Sequence, residues 1–400
     1  MRIKTILILA GGDGDRFYPL EQKMRFTFNG KTVLQHIVGS VLELAEEVVI
    51  VTNETNKTLI SSDLTQYKVK FAVQTKDEGG MADAVGAAKQ YLTKDVLILN
   101  GNDVFDFSIL SKIIEKTKQD TSLVGMAAKH MNSYFPGGYV RFEGESAVEI
   151  IEKPLPENRP SDYCNLVADY FPDASLFIAE LEKLSSSDDQ FEKALSALMK
   201  QKPATCIKYE GDWATLKYSW HILSMQEYFF KNSLQNMIDS SATIHKTATI
   251  EGNVYIGKNV KVGAYVKISG PCYIGDNTTI GDHSLIRHST IGNKALVGSG
   301  CEIARSYLDS GVMLHRNYVG DSVLSADVSM GAGAVTANYR FDAKTIQTPI
   351  KGTMIDSQKE KFGLIAGKAV KIGVNSCTYP GVKLSPGAMV LPGEIIKKDK

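Results

Sequence analysis

The sequence predicts an α/β domain followed by a parallel β-helix, and two periodicities and one loop carry that expectation. In the first half of the 400 residues, apolar runs alternate with longer helical patterns. That order implies βαβ units and a mostly parallel sheet. In the second half the period becomes six: Ile244, Ile250, Ile256, Val262, Ile268, Ile274, Ile280 and Ile286. A period of six is neither helical nor an alternating strand; it belongs to hexapeptide repeats, three to a turn of a β-helix. The loop is Leu9–Lys23, LAGGDGDRFYPLEQK. Its glycines Gly11, Gly12 and Gly14 permit a tight turn and close approach of a ligand, and such a turn aims backbone N–H groups at an anion. Arg16 and Lys23 add two cations.

Composition narrows the function classes. Forty-five basic and 45 acidic residues cancel, so bulk electrostatics suggest no nucleic-acid or anionic-membrane partner. Five scattered cysteines argue against a disulfide framework or a zinc site and fit a reducing compartment. No segment approaches membrane-spanning length, so a soluble cytoplasmic protein is expected.

The strands expected in the first half are Thr5–Leu9, Val48–Thr52, Val69–Gln74 and Val96–Asn100, with helices near Thr32–Ala45, Asn56–Leu64 and Ala82–Tyr91. Ligands of such sheets sit at the carboxyl ends of the strands. Gln74 ends the third strand and can address a base edge through donor and acceptor, with Gly79 and Gly80 opening the next helix. Asp103, just past the fourth strand, suits Mg²⁺, which takes one or two carboxylates and completes its shell with water and phosphate oxygens. Asp106 is the expected helix cap. Further strands are expected at Ser122–Ala128, from Gly137 to Arg141 through Gly138, over Val148–Glu152, and near Asn165. The Glu152-Lys153 pair ends at Pro154. Helices are expected at Phe191–Lys200 and Ser219–Lys231. The polar stretch Asn232–Ser241 is the expected linker, giving domains 1–231 and 242–400.

After Ile286 the repeat slips by one residue and continues as Ile291, Val297 and Ile303. One aliphatic per unit points into a narrow axial core and stacks on its counterpart in the next turn. The repeat is expected to loosen between Ser306 and Lys361 and to resume at Ala366–Leu391.

The first half resembles the sugar-1-phosphate nucleotidylyltransferases. The resemblance rests on Gly11-Gly12-Asp13-Gly14-Asp15-Arg16, Pro19 and Lys23, with Gln74, Gly79, Asp103, Glu152-Lys153-Pro154 and Asn165 at the family's later motif positions. It implies a Rossmann-like nucleotidyltransferase domain. With the hexapeptide repeats, the chain resembles the bifunctional type that also carries an acetyltransferase on a left-handed parallel β-helix. Met313-Leu-His315-Arg-Asn-Tyr318 and Gly331–Lys344, through Asn338, are similar to the acetyltransferase motifs.

The resemblance implies nucleotide binding by Leu9, Gly11, Gly12, Gly14, Gln74 and Gly79, and catalysis by Arg16 and Lys23. It implies sugar-phosphate binding by Gly138, Glu152, Lys153 and Asn165, and Mg²⁺ on Asp103. His315 would be the acetyltransferase base, with Tyr318, Asn338 and Lys344 binding the acetyl acceptor. Acetyl-CoA would be the co-substrate, and the β-helix would assemble a homotrimer. The chain departs from the family at Thr215, where a second metal carboxylate stands, at Val167, where a glycine stands, and at Ala304, where a substrate lysine stands. The expected reaction is attack of a sugar-1-phosphate oxygen on the α-phosphorus of a nucleoside triphosphate with release of pyrophosphate. Thr215 motivates an alternative expectation, a nucleotide-sugar-binding sensor or scaffold.

Overall fold

In a computed structural model, which describes residues 2–12, 14–74 and 80–400, the chain divides into two compact units. The first comprises Met1–Asp13 and Thr32–Trp213, the second Gly14–Lys31 and Ala214–Lys400.

The first unit is built on a ten-stranded mixed sheet. Its elements in chain order are β1 (Ile3–Leu9), α1 (Val33–Val41), β2 (Ala45–Asn53), α2 (Glu54–Asp63), β3 (Lys70–Gln74), α3 (Gly80–Ala87), β4 (Lys94–Asn100), β5 (Asp103–Phe105), α4 (Ile109–Gln119), β6 (Gly125–His130), β7 (Gly138–Glu143), β8 (Ser146–Glu152), β9 (Tyr163–Asn165), β10 (Ala168–Asp173), α5 (Ala174–Glu182), α6 (Gln190–Gln201) and β11 (Thr205–Tyr209). The sheet order is β8-β7-β9-β6-β10-β4-β1-β2-β3, with β11 also paired to β6.

The α/β class predicted from the sequence holds. The parallel arrangement, however, is confined to β4-β1-β2-β3 and the β6–β11 pair. Strands β7 to β10 run antiparallel to their neighbours. β7 and β8 need only the turn at Gly144-Glu145 to connect, whereas a parallel pair needs a long crossover. The single strand expected near Asn165 is two, β9 and β10. Helix α1 is fixed at its start by a capping box, in which Thr32 and Gln35 each accept the other's backbone N–H.

The second unit contains helix α7 (His221–Asn232) and three parallel sheets of eight short strands each, the faces of a β-helix. Each sheet buries one column. In one of them Ile250, Ile268, Ile286, Ile303 and Val319 stand in register and belong to one buried cluster or its edge. The register step is 18 residues from Tyr255 to Tyr273 and 17 from Tyr273 to Thr290. That shortening is the phase slip seen in the sequence.

Two expectations are corrected. The coil does not loosen at Ser306: it continues through Leu308, Leu314, Val319, Leu324, Met330 and Thr336. Only the stretch 337–364 leaves it, and Ile365–Ala366 re-enters beside Val323–Leu324. Within that stretch Gln347–Ile350 and Thr353–Asp356 form a hairpin. Buried Lys383 donates from Nζ to Thr348 Oγ1 (2.9 Å) and pins the hairpin to the coil. The first coil also starts earlier than residue 242, because Met237–Ile238 pairs with Tyr255–Ile256.

Segment Gly14–Lys31 clusters with the second unit for a visible reason. Phe28 stacks on Phe229 of α7 at 5.2 Å. The Tyr307 hydroxyl donates to the Thr27 carbonyl (3.0 Å) and accepts the Thr27 N–H (3.3 Å).

Replacing Ile286 by Ala should destabilise the second unit by about 2–5 kcal/mol, because the narrow stack cannot collapse around the void. Lys261→Ala, at an exposed coil position, should stay within about 0.5 kcal/mol. Denaturant unfolding of the two variants checks the contrast.

Candidate functional site

Parallel pairing puts the carboxyl ends of β1 to β4 on one edge of the first unit's sheet, where open α/β sheets bind ligands. The turn after β1 is fitted to its neighbours. A Cβ on Gly11 would lie 2.5 Å from Gln74 Oε1, so only glycine leaves that buried side chain its place. The Gly101 N–H donates to the Leu9 carbonyl (2.9 Å). A Cβ on Gly101 would come within 2.8 Å of the same oxygen. The structure therefore brings Leu9, Gly11 and Gln74 together, with the turn leading to Asp103 beside them. Gly12 is exposed, and Gly79 lies outside the described residues.

Asn100 Oδ1 accepts the Asn102 N–H (3.2 Å) and shapes the turn into β5, which Asp103 opens as a buried carboxylate. Among the described residues, no group of three or more His, Cys, Asp or Glu side chains could hold a metal ion. One buried carboxylate still suits Mg²⁺ that draws its other ligands from phosphate and water. Asp106 is not the cap of α4. Its Oδ1 accepts the Ser108 N–H (3.0 Å), and Ser108 occupies the cap position.

A second group of side chains lies at the β7–β8 end of the same unit. Gly138 stands opposite Glu152 in register. A Cβ on Gly138 would lie 3.2 Å from Glu152 Oε2 and 3.6 Å from Glu192 Cγ. Lys153 Nζ is 3.1 Å from Glu152 Oε1 and 2.5 Å from Asp188 Oδ2. Asn165 donates from Nδ2 to both oxygens of Asp169 (3.3 Å each).

Glu192 and Asp169 join these side chains although no motif or spacing in the sequence singles them out. Both are buried, and their local patterns hold a signal in hindsight. Asp169 interrupts the apolar run of β10, and Glu192 lies on the buried face of α6 with Leu195 and Met199. Ser196, one turn further on, bonds the Ile150 N–H (3.0 Å) and carbonyl (3.3 Å) and bolts α6 over β8. The same helix face therefore sets Glu192 over the end of that strand. Burial pushes Asp169 up to about 7, against the Asn165 hydrogen bond. Burial and then the charge of Glu152 push Glu192 up to about 8.

Val167, where the resemblance carries glycine, has φ 48°. A β-branched residue pays strain in that left-handed region. Its carbonyl accepts the Asn100 N–H (3.1 Å), which fixes β10 beside the turn to Asp103.

In the second unit, Gly14 (φ 76°) lies against Lys23, whose Cδ would be 3.3 Å from a Cβ there. Arg16 is exposed, and Lys23 opens a short 3₁₀ turn. On the β-helix, Asn338 Nδ2 donates to the Tyr318 hydroxyl (3.2 Å) and to Asp321 Oδ2 (2.5 Å). Asp321 also takes a two-pronged bond from Arg305 (2.7 Å each), which commits that guanidinium. A Cβ on Gly320 would sit 2.6 Å from both Asn338 Nδ2 and the Tyr318 hydroxyl. The exposed His315 is set by its backbone: its N–H bonds Asn317 Oδ1 (2.8 Å) and its carbonyl takes the Cys301 thiol (3.0 Å). Lys344 is exposed on the stretch that leaves the coil. The Thr215 carbonyl lies 3.1 Å from Nδ1 of half-buried His221, whose imidazole desolvation holds near 3 and so neutral. No helix among the described residues is long and apolar enough to cross a membrane.

An open α/β sheet with glycine-bearing loops at its carboxyl edge, on a chain ending in a β-helix, defines a two-domain transferase. The chain belongs to the nucleotidyl transferase family: residues 5–216 match the model of that family, and residues 233–355 match the GMPPB C-terminal domain. It is 30% identical to the bifunctional protein GlmU of Methanococcus vannielii, over 98% of this chain and 95% of that protein. It is 28% identical to the bifunctional sugar-1-phosphate nucleotidylyltransferase/acetyltransferase of Sulfurisphaera tokodaii, over 98% and 97%. A solved Bacillus anthracis structure, described as a candidate glucose-1-phosphate thymidylyltransferase, covers 56% of this chain and 94% of its own. Its TM-score is 0.50 at 18% identity, a likeness of fold.

The raised carboxyls predict a pH dependence. Folded Asp169 keeps to about pH 7 a proton that an unfolded carboxyl sheds near pH 4. Its stabilising contribution is full below about pH 4 and is lost as pH rises through about 7. Stability of the first unit should fall between about pH 4 and 7, and Asp169→Asn should flatten that slope. Thermal unfolding across the range decides it.

Proposed function

We propose that the chain transfers a nucleotidyl group from a nucleoside triphosphate to a sugar-1-phosphate, giving a nucleotide-sugar and pyrophosphate. The observation that carries this is the fit of Gly11 beneath Gln74 at the sheet's carboxyl edge, in a chain of the nucleotidyl transferase family. Full-length relatives with the bifunctional description support it. The acceptor phosphate is already an anion, so no general base is required. The barrier lies in bringing anions into line and stabilising charge on the α-phosphorus.

Each side chain has one task in this reading. The N–H groups of the turn after Leu9 hold phosphate, and Gln74 reads the base. Arg16 and Lys23 supply cations to the reacting phosphates. Glu152 and Asn165 hold the sugar, and Lys153 its phosphate. Asp103 holds Mg²⁺, which supplies charge neutralisation on the triphosphate.

The β-helix is assigned acetyl transfer from acetyl-CoA to an amino-sugar phosphate. His315 accepts the amine proton, while Tyr318, Asn338 and Lys344 bind the acceptor. The Tyr318–Asn338–Asp321 bonds support that assignment by holding two of these groups in one arrangement. A homotrimer built through the β-helix and a cytoplasmic location complete the proposal.

Pyrophosphate release across a matrix of nucleoside triphosphates and sugar-1-phosphates with Mg²⁺ tests the first activity. Silence throughout would favour the sensor reading that Thr215 motivates. Lys23→Ala should bind nucleotide but turn over about 10²–10³-fold more slowly, by analogy with the loss of an oxyanion-hole donor. His315→Ala should abolish thiol release from acetyl-CoA and leave pyrophosphate release unchanged. Wild-type rates in Lys23→Ala would overturn the assignment of that residue.

A further inference from the structure

The segment Gly14–Lys31, which carries Arg16 and Lys23, lies along one face of the β-helix. The outward residues of that face stand in register as Tyr273, Thr290, Tyr307, Val323, Ile365 and Lys383. All are buried, whereas Lys261, Leu296 and Met313, outward on the next face, are exposed. The segment meets the buried face at several rungs. Gly30 (φ 81°) sits on Tyr273, where a Cβ would lie 2.9 Å from the hydroxyl. Thr27 gives both of its backbone groups to the Tyr307 hydroxyl. The rings of Phe26 and Phe28 flank that of Tyr307, at 5.7 and 5.6 Å. The Pro19 carbonyl lies on Gly367, 3.0 Å from where a Cβ would stand. The Tyr18 hydroxyl donates to Ser385 Oγ (2.5 Å). Each cation neighbours a buried side chain in sequence, Arg16 beside Phe17 and Lys23 beside Met24.

We propose that Tyr307 is a positioning residue for nucleotidyl transfer: through Thr27 it fixes the turn that carries Lys23, so that a β-helix side chain sets the rate of that reaction. The proposal rests on the nucleotidyl-transfer reading and deepens it by naming what holds the cation. A buried phenol that bonds the N–H and the carbonyl of one residue leaves that residue a single place along the coil. The rings on either side keep the strand from sliding. From Thr27 the placement passes to Lys23 through buried Phe26 and Met24 and the 3₁₀ turn closed by the Arg25 N–H on the Gln22 carbonyl (2.8 Å). A cation stabilises charge that develops in the transition state only if its position is set beforehand. Phenylalanine at 307 keeps the ring but strands both Thr27 groups. The contacts at Gly30, Pro19 and Tyr18 remain, so the segment loosens without detaching.

Steady-state pyrophosphate release with Mg²⁺, measured on the full chain in the four combinations of Tyr307→Phe and Lys23→Ala, tests this. Tyr307→Phe should lower kcat about tenfold or more, toward the roughly 10²-fold that a misplacement of about 1 Å can cost. The KM for triphosphate should stay nearly unchanged. In the Lys23→Ala background the same substitution should have no further effect, since the group it places is gone. A structural role alone would cost both backgrounds the same factor. That result, or wild-type turnover in Tyr307→Phe, would overturn the proposal. Hydrogen exchange of residues 23–29 should quicken in Tyr307→Phe while that of residues 254–274 in the coil stays as in the wild type. Unchanged exchange at 23–29 would equally overturn it. If Tyr307→Phe does not fold, Asn29→Gly carries the same cycle. It removes the bonds from Asn29 Nδ2 to the Phe229 carbonyl (3.1 Å) and Ser233 Oγ (3.0 Å), at a position whose φ of 50° suits glycine. A wild-type chain that releases no pyrophosphate, with exchange responding as stated, would overturn the transfer reading and leave the anchor in place.

Discussion

The loop edge of the first unit is organised by one backbone hydrogen bond, from the Gly101 N–H to the Leu9 carbonyl. It ties the ends of two neighbouring parallel strands at the point where each gives way to a loop. The glycine turn after Leu9 and the turn leading to Asp103 thereby become neighbours. No other residue could stand at 101, since a side chain would meet the Leu9 oxygen. On the far side of β1, Gly11 makes the corresponding concession to Gln74. Two missing side chains thus let backbone and a buried amide lie side by side at the carboxyl edge of the sheet.

Much of this was legible in the sequence because it is local. Apolar runs gave the parallel strands, and glycines gave the turns that need them. Gln74 and Asp103 could be found because each closes a strand. The hexads were legible for a stricter reason: a β-helix repeats its core position at nearly constant spacing. Where a unit shortens to five residues and the stacked aliphatic becomes Leu308, Leu314 or Met330, the pattern fades while the coil itself persists.

What escaped was relational. Glu192 lies forty residues from Glu152 in sequence and meets it only because Ser196 fastens α6 over Ile150. Asp169 looks like an error in an apolar strand until Asn165 is placed beside it. The segment carrying Arg16 and Lys23 reads as a continuation of the first domain. It clusters with the second unit because Phe28, Thr27 and Asn29 find partners in Phe229, Tyr307 and Ser233. Side-chain pairing at long range leaves no periodic trace.

The central claim is that the α-phosphorus of a nucleoside triphosphate is the electrophile. Turnover with triphosphate labelled at the α-phosphorus tests it most directly, read by separating nucleotide-sugar from pyrophosphate. All label entering product should reside in the nucleotide-sugar and none in pyrophosphate. Label retained in a nucleoside diphosphate, with an unlabelled sugar product, would mean transfer of the terminal phosphoryl group and would contradict it.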